Sequence, residues 1–320
     1  MENLPYSGLT EFPPPPPGRN GWPWMEESLQ LPGIVLDSSS WPRVSIVTPS
    51  YNQGQFLEET IRSILLQRYP NLEYFVMDGG STDGSREIIQ SYASYLTYWR
   101  SEKDNGQSAA ISEGFRMSTG EILGWVNTDD LLLPGCLQKV GRYFVEHPEV
   151  DCVVGGAVAI DESGGIVPNP LGLPKIVRGE RETFRKLLLR RGISFYQPAS
   201  FWRRDAYLAA GGLEVSLRFA MDYDLYLRMA CHKPFGYLNQ LLACFRLHSQ
   251  SKTTLLQSVR QRETAELRKR YGVGNDTLVS TLYRGYLAVA NLLHNLPIRI
   301  GFAIGLVNLP NVNCRGKNLW

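Results

Sequence analysis

The sequence predicts one α/β domain: a mostly parallel central sheet flanked by helices, with an extended N-terminal arm and C-terminal helices. Two observations predict it. Between Arg43 and Val126, β-branched or apolar runs alternate with helix-spaced apolar residues over short connections. Such alternation sets parallel strands between helices on both faces. The hydrophobic run Ile122 to Val126 then leads into adjacent carboxylates, Asp129 and Asp130. That is how a buried strand delivers acids to its C-terminal edge, where open α/β sheets bind ligands.

Residues 1–43 read as an arm. Pro13 to Pro17 followed by Gly18, Gly21 and Pro23 cannot form helix or sheet and should be extended, with Trp22, Trp24 and Trp41 as apolar anchors along the domain. Val44 to Thr48 is a strand stopped by Pro49. Phe56, Leu57, Ile61, Ile64 and Leu65 have helical spacing. Leu72 to Met77 is a second strand, Ser85 to Tyr92 a helix, and Leu96 to Trp99 a third strand. Ser108 to Met117 is a helix and Glu121 to Val126 the strand before the acids.

The pattern then changes. Leu137 to Val145 is helical, and Asp151 to Ile160 with Gly165 to Pro168 suggests a hairpin. Phe184 to Arg190 is a basic helix and Ala199 to Trp202 a short strand. A helix begins near Asp222 and runs to Ala230, and Tyr237 to Leu247 is a final strand. Val259 to Tyr271 is a charged helix. Val279, Leu282, Tyr283, Tyr286, Leu287, Ala290 and Leu293 form one apolar stripe. The expected division is an arm, 1–43; a catalytic domain, 44–248, with halves 44–134 and 135–248; and basic amphipathic C-terminal helices, 249–320.

Net charge is only +2, but from Phe245 onward eleven Lys or Arg face three Asp or Glu. A basic tail on a mildly acidic body suits an anionic surface or acceptor, or simply a solvated helical face. The five cysteines are scattered, with no CxxC pair, which fits reduced thiols in a cytoplasmic protein. No export signal and no spanning stretch of about 20 apolar residues is read.

Four clusters fall at strand ends or in loops. Thr48-Pro49-Ser50-Tyr51-Asn52 offers hydroxyls and a ring to a base or ribose, or is an ordinary turn. Asp78-Gly79-Gly80-Ser81-Thr82-Asp83-Gly84-Ser85 lets backbone approach a ligand, while Asp83 with Ser85 can equally cap the next helix. It is neither GxGxxG nor a phosphate loop, which argues against dehydrogenases and P-loop NTPases. Glu102-Lys103-Asp104-Asn105-Gly106 precedes a helix, as a ligand loop or as turn and cap residues. The fourth is the acid pair. Adjacent carboxylates repel unless a cation or donor lies between them, so a divalent metal carrying phosphate accounts for it better than a helix cap.

In this order and spacing the four clusters closely resemble the family 2 glycosyltransferases, which have the A-type nucleotide-sugar-binding fold. The matching stretches are VSIVTPSYNQGQFLEETIRSIL, FVMDGGSTDGS, EKDNGQSAAISEGF and STGEILGWVNTDD, from about Arg43 to Pro134, with weaker similarity to about His248.

The resemblance implies roles residue by residue. Thr48, Ser50 and Tyr51 match the first nucleotide contact, Asp78 with Ser81 the base-recognising loop, and Lys103 and Asp104 a nucleotide or donor contact. Asp129 and Asp130 match the acidic motif, Asp129 towards ribose or metal and Asp130 as the favoured direct ligand of Mg2+ or Mn2+. Ala220-Met221-Asp222-Tyr223-Asp224 resembles the Glu-Asp segment that supplies the general base. Met221 replaces the usual Glu, Asp222 matches the base, and Asp224 is left as a first-turn helix acid. Arg246-Leu247-His248 resembles a strand end whose histidine reaches metal or diphosphate. Gln197 to Phe201 and Gly211-Gly212 resemble the acceptor wall. Glu113 departs from the family, standing where many relatives carry Asn.

The function so implied is inverting, metal-dependent transfer of a sugar from a nucleoside diphosphate sugar to an acceptor hydroxyl, in cell-surface polysaccharide or glycolipid assembly. The acceptor is a carbohydrate or lipid-linked, and no nucleic-acid partner is expected. The location is cytoplasmic, with a peripheral contact at the inner face of the membrane. The alternatives are a nucleotidyltransferase, which lacks its Lys-rich phosphate loop between Ser50 and Gln55, and a non-catalytic nucleotide-sugar-binding subunit.

Overall fold

The computed structural model describes residues 8–31, 40–170, 172–190 and 192–271. Strands are β1 (Val44–Ser50), β2 (Leu72–Asp78), β3 (Tyr98–Ser101), β4 (Ile122–Trp125), β5 (Leu131–Leu132), β6 (Cys152–Ile160), β7 (Ile176–Val177), β8 (Ser200–Arg203) and β9 (Gly236–Arg246). Helices are α1 (Gly54–Leu65), α2 (Ser85–Ser91), α3 (Gln107–Met117), α4 (Cys136–Glu146), α5 (Phe184–Arg190), α6 (Arg204–Ala209), α7 (Met221–His232), α8 (Lys252–Leu255) and α9 (Gln257–Arg270).

The strands form one nine-stranded sheet in the order β3-β2-β1-β4-β8-β6-β9-β5, with β7 on β6. β1 to β4 are mutually parallel, and β9 runs parallel to β6. β8, β7 and β5 run against their neighbours. The sheet is therefore mostly parallel, as the alternation predicts.

Side chains alternate across β1, so Val44 and Ile46 enter one core while Val47 enters another. The first core joins α1, α2 and α4 to the sheet, and the second joins α3, α5, α6 and α7. Gly114 lets α3 lie close on β1, since a Cβ there would stand 2.7 Å from Val47 Cγ1.

The arm packs as the tryptophans predict. Phe12, Trp22, Leu31 and Trp41 enter the first core, and the Trp22 indole donates to the Leu132 carbonyl at 2.8 Å. Arg62 of α1 is fully buried beneath it. Its guanidinium donates to the carbonyls of Pro13, Pro23 and Trp24 and to Tyr92 Oη, between the rings of Phe12 and Trp24.

Several elements differ from the sequence reading. β1 continues through Pro49 to Ser50. Pro49 is tolerated because its missing N–H lies on the β4 side, where ladder pairing stops at Val47 and Trp125. β3 starts two residues later than predicted. The expected hairpin keeps its turn, but Ile166 makes only an isolated bridge with Ile160, and β7 is the partner of β6. The two-residue β5 and the six-residue α6 carry no periodic signal. α9 is charged as expected but buries only Glu263, Leu267 and Arg268, so it has no continuous apolar stripe. The stripe from Val279 to Leu293 lies outside the described residues. Among the described residues no helix is long and apolar enough to cross a membrane.

Candidate active site

The C-terminal ends of β1, β2 and β4 converge with the end of β9 through Asp130. Register pairs Ser50 with Asp78 and Asp78 with Ser101. Asp78 is fully buried. Its carboxylate accepts from Gly80 N at 3.2 Å, Ser81 N at 2.9 Å, Ser81 Oγ at 2.5 Å and Ser101 Oγ at 2.7 Å. Three of these donors fall on Oδ2 and one on Oδ1, so the carboxylate organises the turn and keeps acceptor capacity on Oδ1. Gly80, at φ +81°, leaves no room for a side chain against the Lys103 backbone.

The loops after β1 and β2 are tied together. Asn52 N donates to Ser81 Oγ at 2.8 Å and Thr82 N to Asn52 Oδ1 at 2.9 Å. Asp83 accepts from Ser85 and from Gly54 N, a local structural role. Thr48 is buried and its hydroxyl bonds Tyr74 Oη at 3.0 Å. Ser50 differs: its buried Oγ has no protein partner among the described residues. The Tyr51 ring is exposed. Lys103 is exposed, and half-buried Asp104 accepts from Gly106 N at 2.7 Å. Glu113 pairs with Arg100 at 2.8 Å.

The acid turn is fixed from three sides. Thr60 Oγ1 donates to the carbonyls of Thr128 and Asp130. Thr128 Oγ1 donates to Pro49 O at 2.7 Å. The Arg246 guanidinium donates to Asp129 O at 3.0 Å and to Glu59 at 2.9 Å in a buried pair. The two carboxylates then diverge. Asp130 points inward, accepting from Arg246 N at 3.1 Å and Asn127 Nδ2 at 3.3 Å. Burial, then the Asp129 charge, push its carboxyl well above the usual range. Asp129 is partly exposed, and its Oδ2 stands 3.0 Å from His248 Nε2.

Each oxygen of Asp130 holds one internal donor, and Asp129 Oδ2 faces His248. Asp129 and His248 supply one oxygen and one nitrogen. They lie 3.0 Å apart, at hydrogen-bond distance. These residues fit a divalent ion, whose other ligands must come from elsewhere, since the described residues hold no cluster of three or more metal-binding side chains.

Asp222 begins α7 and is half-buried, with Oδ1 accepting from Tyr223 N at 2.7 Å. Burial raises its carboxyl to about 6, against the opposing pull of the Tyr223 N–H and Lys252. Asp224 is consumed by Arg228 at 2.6 Å, which leaves Asp222 as the chemically available acid. The sequence reading missed Glu263. From α9 its carboxylate accepts from Arg218, Phe219 and Ala220 N at 3.0, 2.9 and 2.9 Å, fixing the loop that presents Asp222. Gln197 donates to Trp125 O at 2.9 Å, tying the expected acceptor wall to β4.

The sequence model described as Glycosyl transferase family 2 matches residues 45–210. The chain belongs to glycosyl transferase family 2. It is 27% identical over 214 residues to a chondroitin synthase of Escherichia coli, covering 66% of this chain and 30% of that one. An uncharacterized glycosyltransferase of Nostoc sp. is 25% identical over 272 residues, covering 80% and 81%. The chain spans about a third of the length of the first curated relatives it matches. Among solved structures, S. aureus TarS 1–349 in complex with UDP has a TM-score of 0.54 at 16% identity, covering 75% of this chain and 68% of that one. The mannosyltransferase PcManGT from Pyrobaculum calidifontis, in complex with GDP-Man and Mn2+, has a TM-score of 0.52 at 18% identity, covering 86% and 84%. These likenesses are of fold, and they agree with the A-type architecture.

Proposed function

We propose that the protein transfers a sugar, with inversion, from a nucleoside diphosphate sugar to an acceptor hydroxyl in polysaccharide or glycolipid assembly. The observation that carries this reading is the convergence of Asp129 and His248 at the sheet edge, with a second, raised-pKa carboxylate, Asp222, on a different element. Solved neighbours in complex with UDP and with GDP-Man and Mn2+ support a diphosphate donor.

Asp129 and His248 would hold Mg2+ or Mn2+, which when bound neutralises the donor diphosphate. Ser50 Oγ and the Tyr51 ring contact the nucleoside, and Lys103 and Asp104 contact the nucleotide or donor. Ser81, bonded to Asp78, shapes the loop. Asp222 takes the proton of the acceptor hydroxyl as that oxygen attacks the anomeric carbon from the face opposite the diphosphate. A base needs a pKa near working pH, and a carboxyl raised to about 6 meets that need.

A panel of UDP-, GDP- and dTDP-sugars with Mn2+, scored by release of nucleoside diphosphate, tests the reading. Pyrophosphate release from a nucleoside triphosphate would instead identify a nucleotidyltransferase. Tight donor binding without transfer or hydrolysis would identify a binding subunit. The cytoplasmic, membrane-facing location rests on the basic C-terminal composition. Equal liposome flotation of the full chain and a chain ending at Tyr271 would remove the region beyond Tyr271 from that role.

A further inference from the structure

We propose that the Lys252 ammonium binds the donor diphosphate and meets the charge that develops on it during transfer. The inference rests on the donor-site reading above. Lys252 opens α8, four residues beyond His248. Its turn is tied to that strand end, since Thr254 Oγ1 donates to His248 O at 3.2 Å. Lys252 Nζ donates to Gln107 Oε1 at 2.5 Å and to Arg218 O at 3.0 Å. Gln107 in turn donates to Asn127 Oδ1 at 2.7 Å, beside the acid pair. Arg218 lies in the loop that Glu263 holds ahead of Asp222. The amine therefore bridges the donor half of the site to the segment carrying the base.

Both anchors are neutral, and an ammonium has three donors, so one remains for a ligand. Lys252 is exposed; partial desolvation of its amine and the Arg218 charge disfavour the cation, while Asp222, Glu263 and Asp129 favour it. The ammonium thus stands within electrostatic reach of both the proposed metal ligand and the proposed base. Lysine acts on phosphate as a point charge, so a charged amine in that position suits a diphosphate.

The transfer balances around it. The bond from the anomeric carbon to the β-phosphate oxygen breaks, and its electron pair stays on that oxygen. The acceptor oxygen bonds to the anomeric carbon, and its proton passes to Asp222. The departing diphosphate gains one negative charge, which the Lys252 charge matches.

Calorimetric titration of the full chain in Mn2+ with UDP, GDP, dTDP, CDP and ADP, and with the corresponding monophosphates, tests this. The diphosphate bound by the wild type should bind Lys252→Met about tenfold more weakly. The monophosphate should be unaffected, and Lys252→Arg should keep most of the affinity. Unchanged diphosphate binding by Lys252→Met overturns the proposal. So does an equal loss for mono- and diphosphate, which marks a strap between Gln107 and Arg218. If the wild type binds no nucleoside diphosphate, the donor reading itself falls and the lysine role falls with it, so the two failures are told apart.

Discussion

His248 Nε2 and Asp129 Oδ2 stand 3.0 Å apart although 119 positions separate them in the chain. Asp129 hangs from the turn after β4, and His248 follows β9. The imidazole packs edge-on against Phe56, with ring centroids 4.9 Å apart, so its orientation is set by packing.

Removing either partner should weaken the metal site. Loss of an outer-shell partner of a ligand typically costs ~10- to 100-fold in metal affinity, and His248→Ala or Asp129→Ala should cost at least as much. Asp130→Asn should leave metal affinity near wild type, because an amide oxygen still accepts from Arg246 N. Mn2+ binding followed by electron paramagnetic resonance decides, and a larger loss from Asp130→Asn would reverse the assignment.

Asp222→Asn should bind the donor normally and transfer about 100- to 10,000-fold more slowly. The wild-type kcat/KM should fall as pH drops through about 6, where Asp222 gains its proton. A profile flat from pH 5 to 7 would sink Asp222 as the base.

Glu263 gives a prediction for stability. Burial opposes its charge, but three backbone N–H donors outweigh burial and hold its carboxyl below the ordinary 4.5. A depressed carboxyl stabilises the fold above its unfolded value and loses that contribution as pH falls through the folded one. Glu263→Gln should therefore cost about 1–3 kcal/mol near neutrality. The Tm gap to wild type should narrow below pH 4.5, and a gap constant down to pH 3 would contradict this.

Arg62→Met should release the arm. It leaves the carbonyls of Pro13, Pro23 and Trp24 without their buried cation, a loss of about 3–5 kcal/mol by analogy with broken buried pairs. Urea unfolding measures the loss, and a red shift of tryptophan emission before the main transition would report Trp22 and Trp24 leaving the core.

The sequence carried the parts of the fold that local pattern encodes. α5 runs from Phe184 to Arg190, the span read as a basic helix, and the alternating strands and helices up to β4 are in place. β5 was invisible because two residues have no period; only its pairing with β9 makes it a strand. Residue type located the acid pair, but not which acid faces outward, because that depends on the backbone N–H of Arg246, 116 positions away. Asp78 is legible from its place at a strand end, while its bonds to Ser81 and Ser101 depend on the fold. Glu263 and Lys252 were missed because each acts through contacts more than 30 residues distant, and their own helices read only as charged.

β9 is the last strand among the described residues, yet it lies inside the sheet, between β6 and β5. During synthesis β9 can join the sheet only after residue 246 has left the ribosome. Before that, β6 and β5 present unpaired edges that invite another chain. Long-range insertion of this kind is slow. A chain truncated before β9 should therefore aggregate rather than yield a weakened enzyme.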